Sequence, residues 1–333
     1  MLKVALVGFG GIAASHRRGY PKFEKMGKIK FVCACDINPE AFTKRQSINI
    51  STDDGGVEED IRRYTDLDEM IAKEEIDFFD VCVPTFLHKE ITTKLLRLGY
   101  PVLCEKPMSL TYDDCCEMIA ASKESGKPLM SGQCLRFYPE FDYIKEVIDS
   151  GRYGKVIGAF FHRLSPPPVW GWENWFMDPA RSGGCITDLH IHDIDIIRYL
   201  FGEPDAVSCR TSTSICLHDT VHSSLFYGDV PVTAVGDWTL AGVPFRAESR
   251  IQFEKATIVF ASDLTVYPKD GESFKVPLEA VSAYGEEVGF FADVVTGEIE
   301  NKKNTAESAA STIRLVECLR KSADANGAIT PLI

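Results

Sequence analysis

The chain has 333 residues, 45% apolar and 26% charged, with a formal charge of −13 at pH 7. That length exceeds one ordinary hydrophobic core and predicts two domains of a folded globular protein. No apolar stretch reaches the roughly 18 residues of a membrane span, and the acidic balance argues against nucleic acid or an anionic membrane as a partner.

Lys3-Val4-Ala5-Leu6-Val7 reads as a short strand, followed by Gly8-Phe9-Gly10-Gly11-Ile12-Ala13 and a helical stretch from Ala14. The apolar run is too short for a leader and feeds directly into the glycine loop, so it reads as a mature strand of a cytoplasmic protein. The loop is a G-x-G-x-x-A opening a helix. Its first glycine permits the tight turn, its second lets backbone approach a pyrophosphate, and its small third residue lets helix and strand pack closely. Alone this motif is weak, and a glycine-rich turn is the plain alternative.

Three later strands strengthen it. Lys30–Cys35 ends at Asp36, where a carboxylate accepts ribose hydroxyls and repels a 2′-phosphate. Ile37 and Asn38 follow, with no immediate arginine to receive that phosphate, so NAD is expected in preference to NADP. Phe78–Val83 ends at Pro84-Thr85, with His88 starting the next helix. Pro101–Cys104 ends at Glu105-Lys106-Pro107, which puts an amine at the carboxyl end of a parallel strand, where open α/β sheets collect ligands. Pro107 restricts the lysine before it to extended backbone. Helical patterns over 66–74, 89–98 and 112–125 complete the alternation of a doubly wound parallel sheet, assigned to residues 1–125. On its residues alone, His88 reads as a helix-start or packing histidine.

From residue 126 the pattern changes. One helix is predicted over 139–150, then strand-like runs from 155 to 268 joined by short turns, then helices over 284–296 and 305–326. This predicts an α+β domain at 126–333 on a large, mostly antiparallel open sheet covered by helices on one face. Three of the four tryptophans fall in 166–176, a loop that reads either as a hydrophobic plug or as a wall over a substrate. Beyond it, Asp188 and His192 are four apart and would share a helical face. A histidine near neutral pKa suits proton removal from an alcohol, and a nearby carboxylate can orient it. Asp195, one turn on, could bond the His192 ring or cap local backbone. His190 would face elsewhere, which counts against a three-ligand metal site, and no metal is expected. The cluster reads equally as satisfied polar residues at a domain junction. Eleven cysteines, an odd count set mostly in apolar runs, read as buried free thiols.

Taken together, the glycine loop, Asp36, Pro84-Thr85 with His88, Glu105-Lys106-Pro107, Arg136-Phe137 with Pro139, the Trp175 to Asp178-Pro179 approach, and Gly183-Gly184 leading to Asp188, His192 and Asp195 resemble the Gfo/Idh/MocA oxidoreductase family across the chain. The resemblance implies a Rossmann domain binding NAD(P) through Gly8, Phe9, Gly10, Gly11, Ile12, Asp36, Pro84, Thr85, His88, Glu105 and Lys106. It implies a sugar or polyol substrate held by Lys106, Arg136, Trp175, Asp188 and His192. Lys106, Asp188 and His192 would be catalytic: Lys106 on the reacting hydroxyl, His192 as acid/base, Asp188 tuning the pair. It further implies a homodimer or homotetramer through the second sheet. Departures stand at His190 and Cys185, where relatives often have glycine, and in Gln133-Cys134-Leu135-Arg136. A bulky His190 is expected either to narrow the pocket or to add a polar contact. The activities left open are a net dehydrogenase, a cofactor-recycling enzyme that oxidises a sugar transiently, and a non-catalytic NAD-binding regulator.

Overall fold

The computed structural model describes residues 1–43 and 61–332, which divide into two compact units. The first comprises Met1–Cys134, Trp170–Trp175 and Val281–Ser311. Its strands β1 (Leu2–Val7), β2 (Ile29–Cys35), β3 (Arg62–Tyr64), β4 (Phe78–Val81), β5 (Val102–Glu105) and β6 (Leu129–Gly132) form one parallel sheet in the order β3-β2-β1-β4-β5-β6. Strands buried on both faces need near-continuous apolar sequence, which β1, β4 and β5 supply. Helices α1 (Gly11–Lys25), α2 (Leu67–Lys73), α3 (His88–Arg97) and α4 (Tyr112–Ser125) alternate with the strands. The strand order reverses between β1 and β4, and such a switch point opens a crevice at the carboxyl ends of the strands.

The second unit comprises Leu135–Val169, Phe176–Ala280 and Thr312–Ile333. It holds α5 (Pro139–Ser150), β7 (Val156–Leu164), α6 (Pro179–Ser182), α7 (Cys185–Asp188), α8 (Ile191–Phe201), β8 (Ala206–Ser212), β9 (Thr220–Tyr227), β10 (Val230–Asp237), β11 (Arg246–Phe253), β12 (Ala256–Phe260), β13 (Leu264–Pro268) and β14 (Phe274–Lys275). With the terminal β15 (Thr330–Pro331) these strands make a nine-stranded sheet, β14-β13-β12-β11-β7-β10-β9-β8-β15. All neighbours run antiparallel except β7 and β10. Helices α7 and α8 pack on β7, β9 and β10.

The boundary expected at 125 moves to 134, because β6 hydrogen-bonds to β5 and completes the parallel sheet. The chain also returns to the first unit through α9 (Ala283–Thr296) and the start of α10 (Ala306–Asp324). Helix α9 lies against α1 at a glycine pair: a Cβ on Gly19 would stand 2.2 Å from the Gly285 Cα. Lys28 clamps Asp293 at 2.6 Å, and Phe78 meets Phe291 edge-on. Among the described residues no helix is long and apolar enough to cross a membrane. All eleven cysteines are free thiols, nine of them buried, and burial pushes Cys33 and Cys104 up to about 12.

Candidate active site

The glycine loop joins β1 to α1. Gly8 takes φ +89°, and a Cβ there would lie 2.5 Å from the Cys82 carbonyl oxygen, so only glycine fits. Gly10 is the N-cap of α1 and offers no side-chain acceptor, so the first-turn N–H groups are not capped by a side chain. That is the arrangement that receives phosphate. Phe9 is buried, packs on Phe42 at 4.9 Å and carries Arg17 over its ring, so it shapes the loop from inside. Gly11 and Ile12 open α1.

Asp36 caps the far end of β2. One oxygen accepts the Phe9 N–H at 2.7 Å and the other the Asn38 N–H at 2.8 Å. Burial raises its pKa above the ordinary carboxylate value, and the two backbone bonds oppose that shift. A carboxylate has about four acceptor sites, so two bonds fix its orientation and leave capacity for hydroxyls. The uncapped helix start, the Cβ-free approach at Gly8 and the oriented Asp36 fit a dinucleotide.

Pro84 and Thr85 follow β4, with Thr85 buried in a 3-10 turn that runs into α3. His88, expected at the cofactor, opens α3. Its ring is buried, with Nδ1 2.7 Å from the Pro107 carbonyl and Nε2 2.8 Å from the Val83 carbonyl. Burial lowers its pKa, and the bonds to the two carbonyls oppose that shift. It is a latch between the turns after β4 and β5.

Lys106 directly follows β5, half-buried, its peptide to Pro107 cis. Its N–H donates to Glu105 Oε2 at 2.8 Å. Glu105 is itself buried beneath the turn. Its other oxygen meets His16 Nε2 at 2.8 Å, and His16 Nδ1 meets Asp80 at 2.9 Å. Donor atoms of His16, Asp80 and Cys82, and of His16, Glu105 and Glu287, each fall within 4.8 Å of one another. None of His16, Asp80 or Glu287 was singled out from sequence. The legible signal was Asp80, a charge inside the apolar run Phe78-Phe79-Asp80-Val81, because such a group demands buried partners.

In the second unit Asp188 and His192 do not ride one uninterrupted helix. Asp188 ends α7 and His192 sits in the first turn of α8; the His192 N–H bonds to the Leu189 carbonyl at 3.4 Å. Both retain a little exposure, 9% and 8%. Gly183 and Gly184, both at φ +74°, bring the chain into α7, and a Cβ on Gly184 would strike the Leu217 carbonyl oxygen at 2.0 Å.

Arg136, expected to hold substrate, lies in the turn before α5. It is 2% exposed and forks onto Asp195, Nε to Oδ2 at 2.8 Å and a terminal N–H to Oδ1 at 2.6 Å. Thr312 adds a third bond to Asp195, at 2.7 Å. Asp195 therefore anchors Arg136 and is not spent on the His192 ring. His190 is fully buried, bonded to Ser223 at 2.8 Å and pressed onto Gly236, where a Cβ would lie 2.9 Å from its Nδ1. Burial first, then Arg163 and His222, push its pKa down to about 3. It is a neutral packing residue on β9 and β10, not a wall of a pocket. Trp170 and Trp172 are exposed and Trp175 is buried; the segment 170–175 groups with the first unit. Glu173 and Asn174 hold positive φ within it.

Residues 2–133 match the model of the oxidoreductase family with NAD-binding Rossmann fold, and residues 141–259 match the C-terminal domain of the same Gfo/Idh/MocA family. The chain is 29% identical over 215 residues to 2,7-anhydro-N-acetylneuraminate hydratase of Escherichia coli strain K12, covering 62% of this chain and 52% of that protein. It is 30% identical over 197 residues to 1,5-anhydro-D-fructose reductase of Ensifer adhaerens, covering 59% and 55%. The chain thus spans about half the length of these curated relatives. A solved levoglucosan dehydrogenase in complex with NADH superposes with a TM-score of 0.83 at 20% identity, over 100% of this chain and 99% of the other, which shows the shared fold. With two family domains matched in order and an uncapped glycine loop facing Asp36, the chain belongs to the Gfo/Idh/MocA oxidoreductase family and carries its NAD-binding Rossmann domain.

Proposed function

We propose that the protein transfers a hydride between a hydroxyl-bearing carbon of a sugar, inositol or sugar derivative and NAD. The observation that carries this reading is Lys106 at the carboxyl end of β5, half-buried, with its backbone tied down by Glu105 in the NAD-binding unit. The bound nicotinamide supplies the hydride acceptor or donor at its C4. The chain's own residues hold the sugar and manage its proton. Lys106 donates to the reacting hydroxyl and lowers the cost of its deprotonation, His192 takes or returns the proton, and Asp188 orients that exchange. Asp36 favours NAD over NADP, because a 2′-phosphate would meet a carboxylate held in place by two backbone N–H groups.

A second reading keeps the hydride step and returns the hydride within one cycle, so that no net oxidation results. It is favoured by a relative named as a hydratase, an activity that adds water without net redox change. One experiment separates the two. Purified protein is mixed with NAD and then NADP, and the reduced nicotinamide is followed against inositols, aldoses and anhydrosugars, including levoglucosan and 1,5-anhydro-D-fructose. Net turnover with NAD supports the dehydrogenase. Silence with cofactor retained through purification moves the assignment to the recycling enzyme, and silence with no cofactor affinity contradicts both. We also infer a homodimer or homotetramer through the nine-stranded sheet.

A further inference from the structure

Beneath Glu105 the first unit buries a connected set of titratable side chains: His16 and Tyr20 of α1, Asp80 and Cys82 at β4, Glu105 of β5 and Glu287 of α9. His16 has no solvent exposure and spans Asp80 and Glu105 through its two nitrogens. Ionised carboxylates only accept, so a ring bridging two of them donates from both nitrogens. Asp80 takes two further donors, the Tyr20 hydroxyl at 2.6 Å and the Cys82 thiol at 3.5 Å. Glu105 is pinned from the other side by β6: a Cβ on Gly132 would stand 3.1 Å from its Oε1. Glu287 closes the set, 3.5 Å from His16 Nε2, with neither oxygen in a hydrogen bond.

We propose that His16 is a positioning residue for Lys106: its Nε2 fixes the Glu105 carboxylate, and Glu105 fixes the Lys106 backbone N–H. This rests on the reading of Lys106 given above. A buried carboxylate must find donors, and Glu105 finds two, the His16 ring and the Lys106 amide. Remove the ring and Glu105 is left with an unmet acceptor. The carboxylate then turns toward water or another cation and releases the amide that sets the direction of the Lys106 side chain. Burial opposes charge on His16, but Asp80 and then Cys82 favour it, and the ring is held well above its ordinary pKa. Burial raises the Glu287 pKa beside it, with His16 opposing the rise.

The test compares two amides in the full-length protein. His16→Gln places an N–H donor where Nε2 lies and keeps the bond to Glu105; His16→Asn places one where Nδ1 lies and keeps only the bond to Asp80. The readout is the rate at which pyridoxal 5′-phosphate with borohydride labels Lys106, resolved by peptide mass mapping, with exposed Lys22 and Lys25 as internal controls. His16→Asn is expected to change the Lys106 rate by about tenfold while His16→Gln stays within about twofold of wild type. Equal rates in the two variants, whether shifted or not, overturn the proposal, since a merely structural histidine would be missed alike by both. Should His16→Asn fail to fold, the wild-type protein decides. The Lys106 amide is expected to exchange at least about a hundredfold slower than unstructured chain, and exchange at the unstructured rate overturns the proposal. Labelling and exchange need no substrate, so their failure is distinct from failure of the hydride-transfer reading, which turnover by Lys106→Ala judges.

Discussion

Gly8 and Glu287 show how single positions constrain the NAD-binding unit. At Gly8 the positive φ and the Cys82 carbonyl both forbid a side chain. Gly8→Ala is expected to destabilise the protein by about 1–3 kcal/mol and to weaken NAD binding. Denaturant unfolding and calorimetric titration with NAD measure the two effects, and unchanged affinity would contradict the assignment of the loop. Glu287 tests electrostatics. Its pKa in the folded chain is raised by burial, with Glu105 and Asp80 adding to the rise and His16 opposing it. Between the ordinary carboxylate range and that raised value the folded state holds a proton that the unfolded chain has released, so stability falls as pH rises. His16, also raised, adds a loss of the same sign above its ordinary value. Glu287→Gln cannot titrate, so its unfolding free energy is expected to decline less than wild type between about pH 5 and pH 8. Parallel curves would show that Glu287 is ionised in the folded protein. Gly8, Asp36 and Lys106 were legible in the sequence because each sits at a strand end, where local pattern places it. His16 was not, because its carboxylate partners lie 64 and 89 residues away.

Elements hold these residues through a few buried polar ties. The Arg136–Asp195 fork joins the turn before α5 to α8, and Thr312 extends it to α10. Losing one partner of such a pair leaves an uncompensated buried charge, so Arg136→Ala is expected to cost about 3–5 kcal/mol by denaturant unfolding. Because Arg136 is committed to Asp195, the substrate KM of the folded fraction is expected to hold; a raised KM with unchanged stability would return Arg136 to the substrate. Helix and strand existence was legible from apolar periodicity, and α4, α5 and the alternating β11 fall where the pattern placed them. The break between α7 and α8 was not, since nothing in Asp188-Leu189-His190-Ile191-His192 lacks helix propensity. His190 shows the same limit. Read as an enlarged pocket residue, it is a packing residue, because Gly236 on β10 leaves it room.

At the scale of the molecule, two units and their sheet types were legible from composition and alternation, but the division between them was not. Helix α9 belongs with α1 despite the many residues between them, and the matched glycines Gly19 and Gly285 record that meeting. The inferred oligomer is checked by sedimentation equilibrium, where a monomer at micromolar concentration would contradict it. The most direct test of hydride transfer is the single-turnover reduction of NAD by wild type and by Lys106→Ala, with the sugar or polyol found in the substrate screen. The variant is expected to lose about 10²–10⁴ in the rate of reduction while its NAD affinity stays within about twofold. Equal rates in the two proteins would contradict the role of Lys106 and, with it, the proposed chemistry.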